Sequence, residues 1–98
     1  MALYTPEKIK RTLAPVFREY GVRSAVLFGS YAKGMAGQNS DVDILVDSGL
    51  RGLRFFGLLE SVSDRLSIPV DLLDVQQIIP GSAIEREIRE SGVRIYEF

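Results

Sequence analysis

Residues 27–46 read LFGSYAKGMAGQNSDVDILV, two apolar segments joined by a polar loop that contains glycine. The first apolar segment ends in Gly29-Ser30, and the second begins directly after Ser40-Asp41. Glycine at the end of a strand lets the backbone approach a ligand closely, and a helix that begins there presents free N–H groups. The stretch therefore predicts a strand, a short helical turn, a loop and a second strand, with polar groups at the junctions.

The rest of the chain alternates between predicted helices and strands. Thr5 and Pro6 mark the start of a first helix, which Gly21 can end in the left-handed conformation. The other predicted elements are strands over 22–28, 42–46, 70–73 and 93–96, a helix over about 53–66 and a helix that contains Ile84 and Ile88. This alternation favours an α/β fold, a mixed sheet with helices packed on it.

Composition narrows the chemistry that the chain can perform. The 98 residues predict one small domain over 1–98, with a formal charge of −1 that gives no basic excess for direct binding of nucleic acid. The sequence has no cysteine and no histidine, which excludes disulfides, thiolate zinc sites and histidine acid–base chemistry. A metal would have to be held by oxygen, which points to Mg²⁺, Mn²⁺ or Ca²⁺. We find no signal peptide and no apolar run of bilayer length, so we expect a cytoplasmic protein without membrane contact.

Two aspartates open the second predicted strand. Asp41 and Asp43 lie two residues apart, so their side chains project from the same face while Val42 and Ile44 face the core. Two carboxylates aimed at one point repel each other unless a cation lies between them. A short Asp-x-Asp motif is also common at solvated loop-to-strand junctions. A metal site and a solvated pair therefore remain alternatives on these residues alone.

A third aspartate lies within the later strand. Asp71 is surrounded by apolar residues, where a buried carboxylate would need a partner. If this strand neighbours the strand of Asp41 and Asp43, three carboxylates converge on one site. Asp74 is the competing candidate, although it lies at the end of the strand, where a turn aspartate is ordinary.

The Gly29-Ser30 turn is the candidate phosphate site. The backbone N–H groups and the Ser30 hydroxyl can donate to a phosphate, although a Gly-Ser pair alone is usually only a turn. Lys33 can reach a phosphate as a point charge or remain a solvated loop lysine, and the sequence favours neither.

Taken together, these motifs resemble a known family, the nucleotidyltransferase superfamily of the DNA polymerase beta type. The resemblance extends over nearly the whole chain and is closest to the smallest members, the minimal nucleotidyltransferase (MNT) domains. It rests on Gly29-Ser30, Gly34, Ser40-Asp41-Val42-Asp43 and Asp71. It implies a DNA polymerase beta-like nucleotidyltransferase fold.

The resemblance also implies a reaction and its residues. The reaction is nucleotidyl transfer from a nucleoside triphosphate, usually ATP, with two Mg²⁺ ions or Mn²⁺ in their place. The implied catalytic residues and metal ligands are Asp41, Asp43 and Asp71. The implied nucleotide-binding residues are Gly29, Ser30, Lys33 and Ser40. Many relatives carry arginines where this sequence has Tyr31 and Lys33.

MNT domains are often paired with an all-helical HEPN toxin, for which they act as the antitoxin. The resemblance therefore implies transfer of AMP to a hydroxyl of a partner protein, a tyrosine of a HEPN toxin. The sequence is also compatible with a homo-oligomer.

Two alternative functions remain open at this stage. In the first, the chain is a non-catalytic antitoxin that neutralises its partner by binding. Its functional surface would then be the apolar residues Leu53 and Phe56 with the terminal segment 95–98. In the second, the nucleotide goes to a small molecule such as an antibiotic. The end of the chain at Phe98, without a further helical domain to bind that acceptor, argues against it.

Overall fold

The computed structural model describes residues 4–98. Its elements in chain order are helix α1 (Pro6–Glu19), strand β1 (Ser24–Phe28), the short helix α2 (Gly29–Ala32), strand β2 (Val42–Asp47), helix α3 (Gly52–Leu66), strand β3 (Val70–Asp74), a 3₁₀ turn (Val75–Gln77), helix α4 (Ala83–Ser91) and strand β4 (Val93–Glu97). The predicted alternation of helices and strands is confirmed.

Local signals account for the boundaries of α1. The Thr5 hydroxyl accepts a hydrogen bond from the Lys8 N–H (3.1 Å), which satisfies one of the free donors at the helix start. Gly21 follows the helix with φ 70°, as predicted. The first strand begins at Ser24 rather than at Val22, because the Val22 N–H bonds to the Phe17 carbonyl (2.9 Å) and completes the helix end.

The sheet has the order β3-β2-β1-β4. β1 is antiparallel to both of its neighbours, whereas β2 and β3 are parallel, so the sheet is mixed, as predicted. The parallel pairing needs a crossover, which α3 provides between β2 and β3. β3 is an edge strand, and this placement determines the exposure of the candidate site.

The two faces of the sheet differ in polarity. In β2 the side chains alternate, with Val42, Ile44 and Val46 buried and Asp43 half-buried on the other face. The buried face packs against α1 and α3 in one apolar cluster, to which the helices contribute Ile9, Leu13, Val16, Phe17, Leu58, Val62 and Leu66. The hydrophobic core therefore orients β2 so that Asp43 faces away from it.

Helix α4 lies near the opposite face of the sheet. Ala25 and Leu27 of β1 are buried in the core, so the side chain of Val26 between them projects from the opposite face. Gly92, directly after α4, lies against this face, because a Cβ added to it would lie 2.8 Å from Cγ1 of Val26. The predicted pair within α4 is present, with Arg89 Nη2 3.1 Å from Glu85 Oε1. Across residues 4–98 we find no helix whose length and apolar character would let it cross a membrane.

Candidate active site

The turn between β1 and α2 lies directly against an aspartate. Gly29 has φ 75°, a conformation that residues with a side chain rarely adopt. A Cβ at this position would overlap Oδ2 of Asp43 and lie 3.1 Å from its Cγ. Glycine is therefore required here for two reasons, the backbone conformation and the room that the Asp43 carboxylate occupies.

The sheet register places Asp43 between two neighbouring strands. Asp43 pairs with Phe28, the last residue of β1, and with Asp71 of β3. Residues paired across a sheet project from the same face. Asp43 and Asp71 therefore lie side by side on the face away from the core, next to the Gly29 turn.

Burial and like charges act together on Asp43. Its pKa is raised to about 6, first by burial and then by the negative charges of Asp71, Asp41 and Glu87. The Asp43 carboxylate is therefore surrounded by negative charge from Asp41, Asp71 and, on α4, Glu87.

Asp41 and Asp71 are both exposed to solvent, in contrast to Asp43. The expectation that Asp71 is buried within an apolar strand is wrong. β3 forms the edge of the sheet, so the Asp71 side chain can be solvated and needs no buried partner. Within residues 4–98, no group of three acidic side chains surrounds a point where a metal ion could lie. The structure brings Asp43 and Asp71 together, with Asp41 close enough to act on Asp43 through its charge.

These residues fit a hard divalent cation by their chemistry. The available ligands are carboxylate oxygens. Burial and their mutual repulsion raise the pKa of Asp43, and a cation bound between them would offset this repulsion by attracting each carboxylate. Mg²⁺ is usually bound through one or two carboxylates, with water and substrate phosphates as its other ligands. Asp43 and Asp71 could supply those carboxylates without a closed protein cage.

The other predicted nucleotide-binding residues lie along the chain between the turn and β2. Lys33 forms an ion pair with Glu87 of α4, with Nζ 3.7 Å from Oε2, so it is not simply a solvated loop lysine. The Ser40 hydroxyl accepts a hydrogen bond from the Gly37 N–H (2.9 Å), which stabilises the loop before β2. Ser30 is half-buried in α2, whereas Tyr31 is buried in the core.

Asp74 has a different role from Asp71. It is buried and accepts hydrogen bonds from the Ser48 N–H (3.2 Å), the Ser48 hydroxyl and the Gln76 N–H (3.1 Å). These bonds connect the ends of β2 and β3, at the opposite end of β3 from Asp71. The interpretation of Asp74 as a turn residue is confirmed.

Glu87 is the residue near the site that sequence reasoning missed. It lies on α4, far along the chain from the motifs, in a segment that reads as an ordinary charged helix. Lys33 and Glu87 line a cleft of about 350 Å³ between the end of α2 and α4. No sequence signal distinguishes Glu87 from the other glutamates of this helix, because its position depends on how α4 packs.

Residues 7–98 match the family model described as polymerase beta, nucleotidyltransferase. The chain belongs to this nucleotidyltransferase family. It is similar to the protein adenylyltransferase MntA of Thermococcus cleftensis, with 38% identity over 91 residues, which cover 85% of this chain and 90% of that protein. It is also similar to the Methanocaldococcus jannaschii protein MJ0128, with 39% identity over 79 residues, or 79% and 80% of the two chains.

Solved structures show the same nucleotidyltransferase fold. One, described as a toxin-antitoxin with AMP-PNP, has a TM-score of 0.75 and 23% identity over 91% of this chain and 73% of that chain. Another, described as a tri-AMPylated HEPN toxin from Shewanella oneidensis in complex with MNT antitoxin, has a TM-score of 0.69 and 19% identity. It covers 96% of this chain and 74% of that chain. The resemblance and the fold predicted from the sequence are both confirmed.

Proposed function

We propose that this nucleotidyltransferase moves AMP from ATP to a hydroxyl of a partner protein, a tyrosine of a HEPN-type toxin, and acts as the antitoxin of that pair. The observation that carries this proposal is the position of Asp43 and Asp71 beside the Gly29 turn, at the junction of three strands. The similarity of this chain to a protein adenylyltransferase supports the same reaction. We place the reaction in the cytoplasm, where ATP and Mg²⁺ are available.

Each residue has a role in the proposed transfer. Gly29 and Ser30 present backbone and hydroxyl donors to the triphosphate, and Lys33 supplies a positive charge. The acceptor oxygen forms a bond to the α-phosphorus, the bond to the leaving pyrophosphate breaks, and the hydroxyl proton passes to Asp71. Asp71 suits this role because it is exposed on the edge strand, where a macromolecular acceptor can reach it.

Asp41, Asp43 and Asp71 would share the Mg²⁺ ions with water and the phosphates of ATP, since within residues 4–98 these three carboxylates do not surround one point on their own. When bound, the metal ions neutralise the charge that develops on the phosphate oxygens. Mg²⁺ would also allow Asp43 to remain ionised although burial and its acidic neighbours raise its pKa.

A second candidate function is supported by exposed apolar side chains. Leu53 and Phe56 on α3 are 88% and 52% exposed, and Phe98 is 94% exposed. They could form a surface that neutralises a partner by binding alone. The other apolar residues of the terminal segment pack against the core and are not free to bind a partner. Ile95 is buried, and Tyr96 packs on Phe17 with ring centroids 5.4 Å apart.

An adenylylation assay separates the two candidates. The protein is incubated with labelled ATP, Mg²⁺ and a HEPN-type partner, and the mass of the partner is measured. We expect an increase of one or more AMP units that Asp71→Asn abolishes, while complex formation persists. Glu60→Gln, on the exposed surface of α3, is the matched control and should transfer AMP as the wild type does. Neutralisation of the partner without any mass increase would favour the binding function.

A further inference from the structure

An ion pair spans the cleft beside the candidate nucleotide site. Lys33 follows α2, and its N–H bonds to the Gly29 carbonyl (3.2 Å), so it lies one turn after the glycine that contacts Asp43. Its Nζ lies 3.7 Å from Oε2 of Glu87 on α4. The pair therefore joins the proposed phosphate turn to a helix that the motifs do not include.

The two charges of this pair have opposite effects on an incoming triphosphate. Lys33 attracts the phosphates, whereas Glu87 competes with them for the lysine and also adds to the negative charge around Asp43. Neither side chain is buried, with 44% and 38% of the side chains exposed. An exposed pair of this kind is weak, so a triphosphate with several negative charges can compete for the lysine.

We propose that Glu87 is a positioning residue that holds Lys33 across the cleft, and that the phosphates of the nucleotide displace Glu87 from it. This inference rests on the proposed function, because it takes ATP as the ligand. Glu87 thus acts as an internal competitor of ATP for Lys33 and lowers the affinity for the nucleotide. The cleft also explains how the lysine can change partner, because it leaves open space of about 350 Å³ along Lys33 and Glu87.

The measurement is a double-mutant cycle on MgATP binding by calorimetry. Glu87→Gln removes the competing charge and preserves the shape of the side chain, so the Kd for MgATP should fall about twofold to fivefold. Lys33→Met should raise the Kd. When Lys33 is already replaced, Glu87→Gln should change the Kd much less than it does in the wild type, since its effect passes through the lysine.

The cycle distinguishes competition for Lys33 from simple repulsion. In the alternative, Lys33 stays paired with Glu87 and only screens its charge from the phosphates of ATP. Removing the lysine would then expose the full repulsion between Glu87 and the phosphates, and Glu87→Gln would change the Kd for MgATP more in the Lys33→Met background than in the wild type. An equal or larger effect in that background would overturn the inference. In transfer assays, Glu87→Gln should lower KM for ATP more than it changes kcat.

Glu90→Gln is the matched control for the cycle. Glu90 lines the same cleft on the same helix but is not an ion-pair partner of Lys33 among residues 4–98. Glu90→Gln should leave the Kd for MgATP unchanged, and a gain in affinity for MgATP equal to that of Glu87→Gln would overturn the inference. If the wild type transfers AMP but the cycle is additive, only this inference fails. If it neither binds MgATP nor transfers AMP, the proposed function fails as well.

Discussion

Replacement of Gly29 by alanine tests the geometry of the candidate site most directly. Gly29 and Gly34 have almost the same backbone conformation, with φ 75° and 72°. A Cβ at Gly29 would overlap the Asp43 carboxylate, whereas a Cβ at Gly34 would meet no atom within 4 Å. The variants Gly29→Ala and Gly34→Ala therefore share the backbone strain and differ in the collision with Asp43.

The expected magnitudes follow from these contacts. A side chain at this φ lowers the free energy of unfolding by about 1–2 kcal/mol in both variants. Both variants also reduce the flexibility of the unfolded chain equally, so this effect cancels when they are compared. Moving the Asp43 carboxylate from its rotamer adds about 0.5–1.5 kcal/mol to the cost of Gly29→Ala. Its free energy of unfolding should therefore lie about 1 kcal/mol below that of Gly34→Ala in urea denaturation. Transfer of AMP should fall by the order of 10²-fold in Gly29→Ala, because the Asp43 carboxylate is displaced.

A third variant identifies the atoms responsible. Asp43→Ala removes the carboxylate and leaves its Cβ at 3.4 Å from the added methyl group, an ordinary contact. In that background Gly29→Ala should destabilise the protein no more than Gly34→Ala does. Equal stability of Gly29→Ala and Gly34→Ala in the wild-type background would refute the close contact between the turn and Asp43.

Three further changes test other parts of the structure. Burial and the charges of Asp71, Asp41 and Glu87 raise the pKa of Asp43 from 3.8 to about 6, so ionisation costs stability as the pH rises from about 4 to about 6. Without Mg²⁺, Asp43→Asn should match the wild type near pH 4 and be more stable by about 1 kcal/mol at pH 7, after allowance for solvent screening, as measured by urea denaturation. Asp74→Ala should destabilise the protein by about 2–3 kcal/mol in the same assay, because it leaves the buried Ser48 N–H without its acceptor. Leu53→Ser should change the free energy of unfolding by less than about 0.5 kcal/mol, since this side chain is 88% exposed, and a larger loss would place Leu53 in the core.

Local patterns in the sequence predict much of this fold. The alternation in β2 predicts that Val42 and Ile44 are buried and that Asp43 lies on the other face, as observed. Thr5 and Gly21 mark the start and end of α1 because caps depend on neighbouring residues only. These features require no knowledge of distant contacts, which is why a single sequence contains them.

The features that the sequence does not predict depend on tertiary packing. An apolar run does not reveal whether a strand is central or at an edge, and the exposure of Asp71 depends on that difference. The pairing of Lys33 with Glu87 depends on the position of α4 relative to α2. The collision that excludes a side chain at Gly29 depends on the antiparallel register of β1 and β2, which aligns Phe28 with Asp43.

The exposure of Asp71 bears on the kind of acceptor that suits the proposed reaction. Charge neutralisation around a phosphate is more effective where water is excluded. Asp43 is half-buried, but its neighbours Asp41 and Asp71 are exposed, and β3 carries Asp71 at the edge of the sheet. The side chains at this edge therefore leave Asp71 in water, so the acceptor itself must cover it when transfer takes place. A protein that docks against the edge strand can do so over a broad surface, whereas a small molecule would leave much of the site solvated. The same exposure that removes the need for a buried partner of Asp71 thus favours a macromolecular acceptor over a small one.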